Sequence, residues 1–101
     1  MKVVFAERAR DDIANIYDEI ALHSRPAARR VEDFIRRQCE RLGDFPHVGT
    51  SIDEPDVYRL PLLRYPYTIF YRVNNARQVL EIARVIHGAR IRNLKQLPGN
   101  D

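Results

Sequence analysis

The chain has 101 residues, with 17 Lys and Arg against 14 Asp and Glu, one cysteine and three histidines. A chain of this size forms one modest core, and the lone Cys39 excludes an internal disulfide. The scattered histidines lack zinc-ligand spacing, so no metal or other cofactor is expected. The opening MKVVFAERARDD turns charged too early for a secretory signal, and no apolar run approaches the about 20 residues of a membrane span. The expectation is therefore a cytoplasmic protein with no membrane partner, drawn modestly to acidic partners by its formal net charge of +3.

Lys2, Val3, Val4 and Phe5 form a short β-prone run that needs a later sheet to pair with. Over residues 7–22, Ala9, Ile13, Ile16, Tyr17 and Ile20 recur at steps of three and four. Arg8, Arg10, Asp11, Asp12 and Asn15 take the other side, which describes an amphipathic helix. Ser24-Arg25-Pro26 ends it, because proline is accommodated only in the first turn of a helix. A second helix is expected over 26–42 with Val31, Phe34, Ile35, Gln38, Cys39 and Leu42 inward. Gly43 stands where a left-handed C-cap belongs. Arg29, Arg30, Arg36, Arg37 and Arg41 alternate with Glu32, Asp33 and Glu40 at pairing distance, the pattern of a solvated face rather than a phosphate-binding stripe.

Residues 44–56 (DFPHVGTSIDEPD) are rich in turn formers and without period, so they read as a loop, with Phe45 plugging the edge of the core and His47 a surface residue. The stretch from Val57 to Arg90 is β-rich: VYRLPLLRYPYTIFYRV, the polar turn NNAR, then QVLEIARVIHGAR. Tyr67, Ile69, Tyr71 and Val73 alternate with Thr68, Phe70 and Arg72, and Leu80, Ile82 and Ile86 alternate with Glu81, Ala83, Val85 and His87. Strands over 67–73 and 79–86 are expected to pair antiparallel through residues 74–77, with asparagine taking the left-handed positions of the turn. Past Arg90, Ile91, Leu94 and Leu97 fit one helical turn or a frayed tail equally, with 98–101 a frayed tail behind a single domain of residues 1–97.

The fold class that follows is α+β: an N-terminal strand and a two-helix hairpin packed on a mainly antiparallel β-sheet meander. The expected core comprises Ile13, Ile16, Tyr17, Ile20, Val31, Phe34, Ile35, Leu42, Ile69 and Ile82. On that reading Phe34→Ala costs ~3 to 5 kcal/mol.

Leu42-Gly43-Asp44-Phe45-Pro46 leading to Gly49, then YRLPLLRYPYTIFYRV and LEIARVIHGAR, resemble the RelE/ParE superfamily of bacterial toxin-antitoxin toxins, and more closely its ParE branch, over essentially the whole chain. The resemblance implies a growth-inhibiting toxin that binds DNA gyrase and is held inactive by a small ParD-like antitoxin. It also raises an enzymatic alternative, because RelE-like members resemble ribosome-dependent nucleases that cut messenger RNA. Such cleavage needs a base for the 2′-hydroxyl, cations for the phosphate and an acid for the leaving oxygen. Matched to that branch, Arg59 and Arg90 keep positive charge and the His87 imidazole is the kind of group that serves as a general base. Pro61, however, stands in place of a strand lysine, Thr68 in place of an arginine, and no tyrosine follows Arg90. The same cations read otherwise as a binding set for target or antitoxin: Arg59, Arg64, Arg84, His87, Arg90 and Arg92. Direct sequence-specific nucleic-acid binding is not expected, since no aromatic stacking set is interleaved with a strongly basic surface.

Overall fold

A computed structural model describes residues 1–93. In chain order it contains β1 (Lys2–Phe5), α1 (Glu7–Ala21), α2 (Arg25–Arg41), β2 (Thr50–Ser51), β3 (Val57–Pro61), β4 (Tyr67–Asn74), β5 (Val79–His87) and a 3₁₀ segment over Gly88–Asn93. The expected frayed tail at 98–101 lies outside the described residues, as do Leu94 and Leu97.

The strands form one sheet in the order β1-β5-β4-β3-β2. β1 lies parallel to β5, with Lys2 opposite Val79 and Phe5 opposite Ile82, and the other neighbours are antiparallel. The α1–α2 hairpin covers one face. Ala9, Ile13 and Ile16 of α1 meet Val31, Ile35 and Cys39 of α2 over Ile69, Tyr71 and Val73 of β4 and Leu80, Ile82 and Val85 of β5. The opposite face holds a smaller cluster, Val57, Phe70 and Ile86, packed against Ile52 and Ile91. α2 starts one residue earlier than expected, because Ser24 is its N-cap. The Ser24 hydroxyl accepts from the Ala27 amide at 3.2 Å, and Pro26 sits harmlessly in the first turn.

Several sequence expectations change. Phe34 is half-buried and stands outside the main core. Its ring meets Tyr65 edge-on at 5.3 Å at the flank of the molecule, and a period of 3.6 residues cannot tell a core-facing position from one a step round the helix. Tyr17 and Ile20 are likewise half-buried. Gly43, which follows the C-cap Leu42, is not a left-handed cap, because its own φ lies outside the left-handed region. A Cβ on Gly43 would lie 2.7 Å from the Met1 carbonyl oxygen, where β1 crosses the end of α2 and the Met1 amino group donates to the Gly43 carbonyl at 3.0 Å. In the β4–β5 turn the left-handed residue is Gln78 (φ 55), not an asparagine; Asn74 contributes its side-chain oxygen, which accepts from the Arg77 amide at 3.0 Å.

Two further differences concern the sheet. The 44–56 loop contains the short strand β2. Also, β5 does not keep a strict alternation: Phe70 faces Arg84 but Tyr71 faces Ile82, so Ala83 is an extra, bulged residue. Past the bulge the phase changes, and Val85 joins Leu80 and Ile82 on the helix side while Ile86 turns to the other cluster. Bulges have no period-two signature, which is why Ile86 reads as the partner of Ile82 in the sequence.

Candidate interaction surfaces

The six basic candidates do not converge on one site. Arg59 lies on β3 opposite Phe70, on the face away from the helices, and is exposed. His87 ends β5 directly opposite Tyr67, which packs toward the helix-side core, so Arg59 and His87 are on opposite faces of the sheet. Arg64, in the β3–β4 connection, spreads over the rings of Phe34 (5.9 Å) and Tyr65 (5.6 Å). Arg84 belongs to an ion pair within the fold: its Nε and Nη2 donate to the Asp12 carboxylate at 2.7 and 3.0 Å, and the Val85 amide donates to the same carboxylate at 2.9 Å. Arg92 lies in the 3₁₀ segment.

His87 and Arg90 do share a recess, between α1 and the end of β5. Its volume is about 320 Å³, and Asn15, Glu19, Tyr67 and the Asp12–Arg84 pair complete it. The Tyr67 and His87 rings meet edge-on at 5.6 Å, and the Ala89 amide donates to His87 Nδ1 at 3.1 Å, which leaves Nε2 as the ring's outward atom. Arg90 stands 4.0 Å from Glu19. Burial raises the Tyr67 hydroxyl above its usual titration range, the Glu19 carboxylate adds to that, and Arg90 opposes it. The phenol therefore stays a neutral donor across physiological pH. Tyr67 and Glu19 were not legible as members of this group, since one is on a strand and the other on a helix more than forty residues earlier.

A second surface is apolar. Between α2 and β3 runs a groove of about 500 Å³ with Phe34 and Leu42 on one wall and Leu60 and Leu62 on the other. Its rim carries Phe45, Val48 and Leu63, which are 58%, 61% and 102% exposed. The expectation that Phe45 plugs the core is thus overturned: its loop projects the ring into solvent beside the groove. That loop is nonetheless tethered. The Gly49 amide donates to the Tyr71 hydroxyl at 3.0 Å, and His47 Nδ1 lies in hydrogen-bond contact with the Tyr58 hydroxyl at 2.9 Å. Tyr58 in turn stacks on Tyr71 at 5.4 Å. A Cβ on Gly49 would meet both the Arg59 carbonyl and the Tyr71 hydroxyl at 2.7 Å, so only glycine lets the loop close here. The missed signal was in PLLRYP, where two consecutive leucines occupy a short proline-bounded turn that packs Leu62 against the core and leaves Leu63 outside.

A sequence model of the family described as "ParE toxin of type II toxin-antitoxin system, parDE" matches residues 3–92. No curated protein sequence matches the chain. Among solved structures, the chromosomal ParDE TA system from P. aeruginosa is similar at a TM-score of 0.74 and 24% identity, over 86% of this chain and 95% of that one. The toxin-antitoxin complex RelBE2 from Mycobacterium tuberculosis gives 0.64 and 20%, over 85% and 95% of the two chains. The isolated E. coli RelE toxin gives 0.66 and 18%, over 92% and 98%. At these identities the structural likeness is one of fold, a strand, two helices and a mostly antiparallel sheet.

Proposed function

Because the chain belongs to the ParE toxin family of type II toxin-antitoxin systems, we propose that it inhibits growth by binding DNA gyrase, without catalysis of its own, and is neutralised by a small ParD-like antitoxin. The observation that supports binding over cleavage is the dispersal of the groups a nuclease needs. Cutting RNA through its 2′-hydroxyl requires base, acid and phosphate-binding cations around one phosphodiester. Here Arg59 and His87 sit on opposite faces of the sheet, and Arg84 is held by Asp12. The RelE-like reading, a ribosome-dependent messenger RNA nuclease, draws on one feature, the Tyr67, His87 and Arg90 recess.

Two assays separate these readings. Purified protein added to gyrase and supercoiled plasmid is expected to accumulate cleaved DNA, while primer extension on translating ribosomes is expected to show no new messenger ends. A-site cleavage abolished by Arg90→Ala would reverse the assignment. The recess also offers a surface shared by target and antitoxin, because Arg90 is exposed there and Glu19 holds it only loosely at 4.0 Å. Arg90→Glu is accordingly expected to weaken antitoxin binding and toxicity together, and Arg30→Glu, on the outer face of α2, to change neither. Wild-type values of both for a folded Arg90→Glu protein would remove the recess from the shared surface.

A further inference from the structure

We propose that the apolar groove between α2 and β3 is a binding site for a small amphipathic organic anion, an alkyl carboxylate whose apolar body fills the groove and whose head group meets Arg41. Small-molecule sites are concave, mostly apolar and furnished with a few polar groups that orient the ligand. The groove has that make-up. Its volume is about 500 Å³, Phe34, Leu42, Leu60 and Leu62 form its walls, and Arg41 is the one charged residue lining it. No carboxylate lines it.

The charge of the ligand follows from Arg41. Among the described residues no ion pair engages its guanidinium, whereas Arg36, Arg72, Arg84 and Arg90 each stand beside a carboxylate. A guanidinium donates two parallel hydrogen bonds to a carboxylate, and Gln38, one turn earlier on the same strip of α2, brings an amide donor to the same groove. An ammonium head group would meet only like charge there. Arg64 spreads over the Phe34 and Tyr65 rings at 5.9 and 5.6 Å and does not line the groove, so one anionic head is expected rather than two. The shape of the ligand follows from the helix. From Phe34 to Leu42 the groove runs ~12 Å along α2, which suits an extended alkyl chain of medium length lying between the leucines.

The walls also stand in place before a ligand arrives. Gly49 and His47 tie their loop to the Tyr71 and Tyr58 hydroxyls, and the Asp44 and Phe45 amides donate to the Arg41 carbonyl at 3.0 and 3.1 Å. Phe45 and Val48 are thereby held at the C-terminal end of α2, where the head group is to sit. Pre-ordering of this kind lowers the entropy that binding must offset. Filling the groove covers the exposed apolar rim of Phe45, Val48 and Leu63, which supplies the apolar part of the affinity.

The test uses the full chain and three probes with one alkyl chain and different heads: decanoate, decanol and decyltrimethylammonium, each kept below its micelle threshold. Binding is followed by calorimetry, by amide shifts in two-dimensional NMR and by thermal melting. Decanoate is expected to saturate a single site, to shift the amides of Phe45, Val48 and Leu63, and to raise Tm, since a ligand of the native state alone stabilises it. Decanol is expected to bind at least about tenfold more weakly, for want of the charge-assisted hydrogen bonds, and decyltrimethylammonium more weakly again. Arg41→Gln is expected to bring decanoate down to the level of decanol. Arg41→Glu is expected to reverse the preference between decanoate and decyltrimethylammonium, and Arg30→Glu to leave it as it was. Val48→Asp, at an exposed position, is expected to weaken decanol as well, with the Tm of the free protein unchanged. Equal binding of the three probes, shifts clustered elsewhere, or binding only above the micelle threshold would each overturn the proposal. Shifts of the same amides on raising the protein concentration without any probe would assign the groove to a second copy of the chain and overturn it too. The site is argued from the groove alone, so the gyrase and primer-extension assays leave either outcome standing.

Discussion

Asp12 accepts three hydrogen bonds, two from Arg84 and one from the Val85 amide, with 13% of its side chain and 14% of that of Arg84 exposed. The Val85 amide needs such a partner because β1 ends at Phe5, opposite Ile82, and offers nothing further along the edge of β5. Asp12→Ala is expected to cost about 3–5 kcal/mol, since it strands a guanidinium in a nearly dry corner. Asp12→Ala combined with Arg84→Met should cost clearly less than the sum of the two single changes, and additive losses in urea unfolding would show that the pair is not coupled. None of this was legible in the sequence, where Asp12 falls on the polar side of α1 and its partner lies 72 residues away.

Cys39 is fully buried, and burial pushes its thiol up from 9.0 to about 12, with Glu40 adding and Arg36 opposing. The folded chain therefore keeps a proton that the unfolded chain gives up between those values. Stability from this group is complete below 9.0 and declines as pH rises toward about 12. The urea midpoint is expected to fall between about pH 8 and about pH 10.5 less steeply in Cys39→Ala than in the parent, and a thiol reagent at neutral pH should label Cys39 only after denaturation.

At the scale of elements, the helices and the long strands were readable because each has a strong period and a chemical boundary. Ser24 and Pro26 mark the start of α2, and the polar run after β4 marks the turn into β5. What escaped was whatever depends on a neighbour across space. β2 is two residues long and exists because β3 lies beside it, and Gly43 is required by the Met1 carbonyl rather than by a helix cap. Phe34 belongs to the same class, since nothing in α2 shows that the molecule ends beside it. Phe34→Ala is now expected to lose well under the ~3 to 5 kcal/mol of a core phenylalanine, while Ile35→Ala, fully buried, should lose about 2–5 kcal/mol. Equal losses by chemical denaturation would put Phe34 back in the core. The bulge offers a sharper check. Removing Ala83 makes the Phe70–Arg84 and Tyr71–Ile82 pairs consecutive and leaves every later side chain on its present face. That deletion is expected to fold, whereas deleting Ile69 shifts the period-two pattern within β4 and should abolish the cooperative transition.

For the molecule as a whole, the family and the fold were legible because both are carried by long patterned stretches, while the apolar groove was not, because its rim is assembled from turn and loop residues such as Phe45, Val48 and Leu63. The strand order has one more consequence. β1 precedes both helices in the chain, yet its sheet neighbour is β5, residues 2–5 lying against 79–82. A nascent chain leaving the ribosome can form the α1–α2 hairpin early, but the sheet beneath it stays open until the final strand emerges. A chain stopped at Asn74 is expected to show helical circular dichroism without a cooperative melt. β5 is thus the keystone of the sheet, the one strand that ties residues 2–5 to the meander, and neither half of the sheet is complete without it.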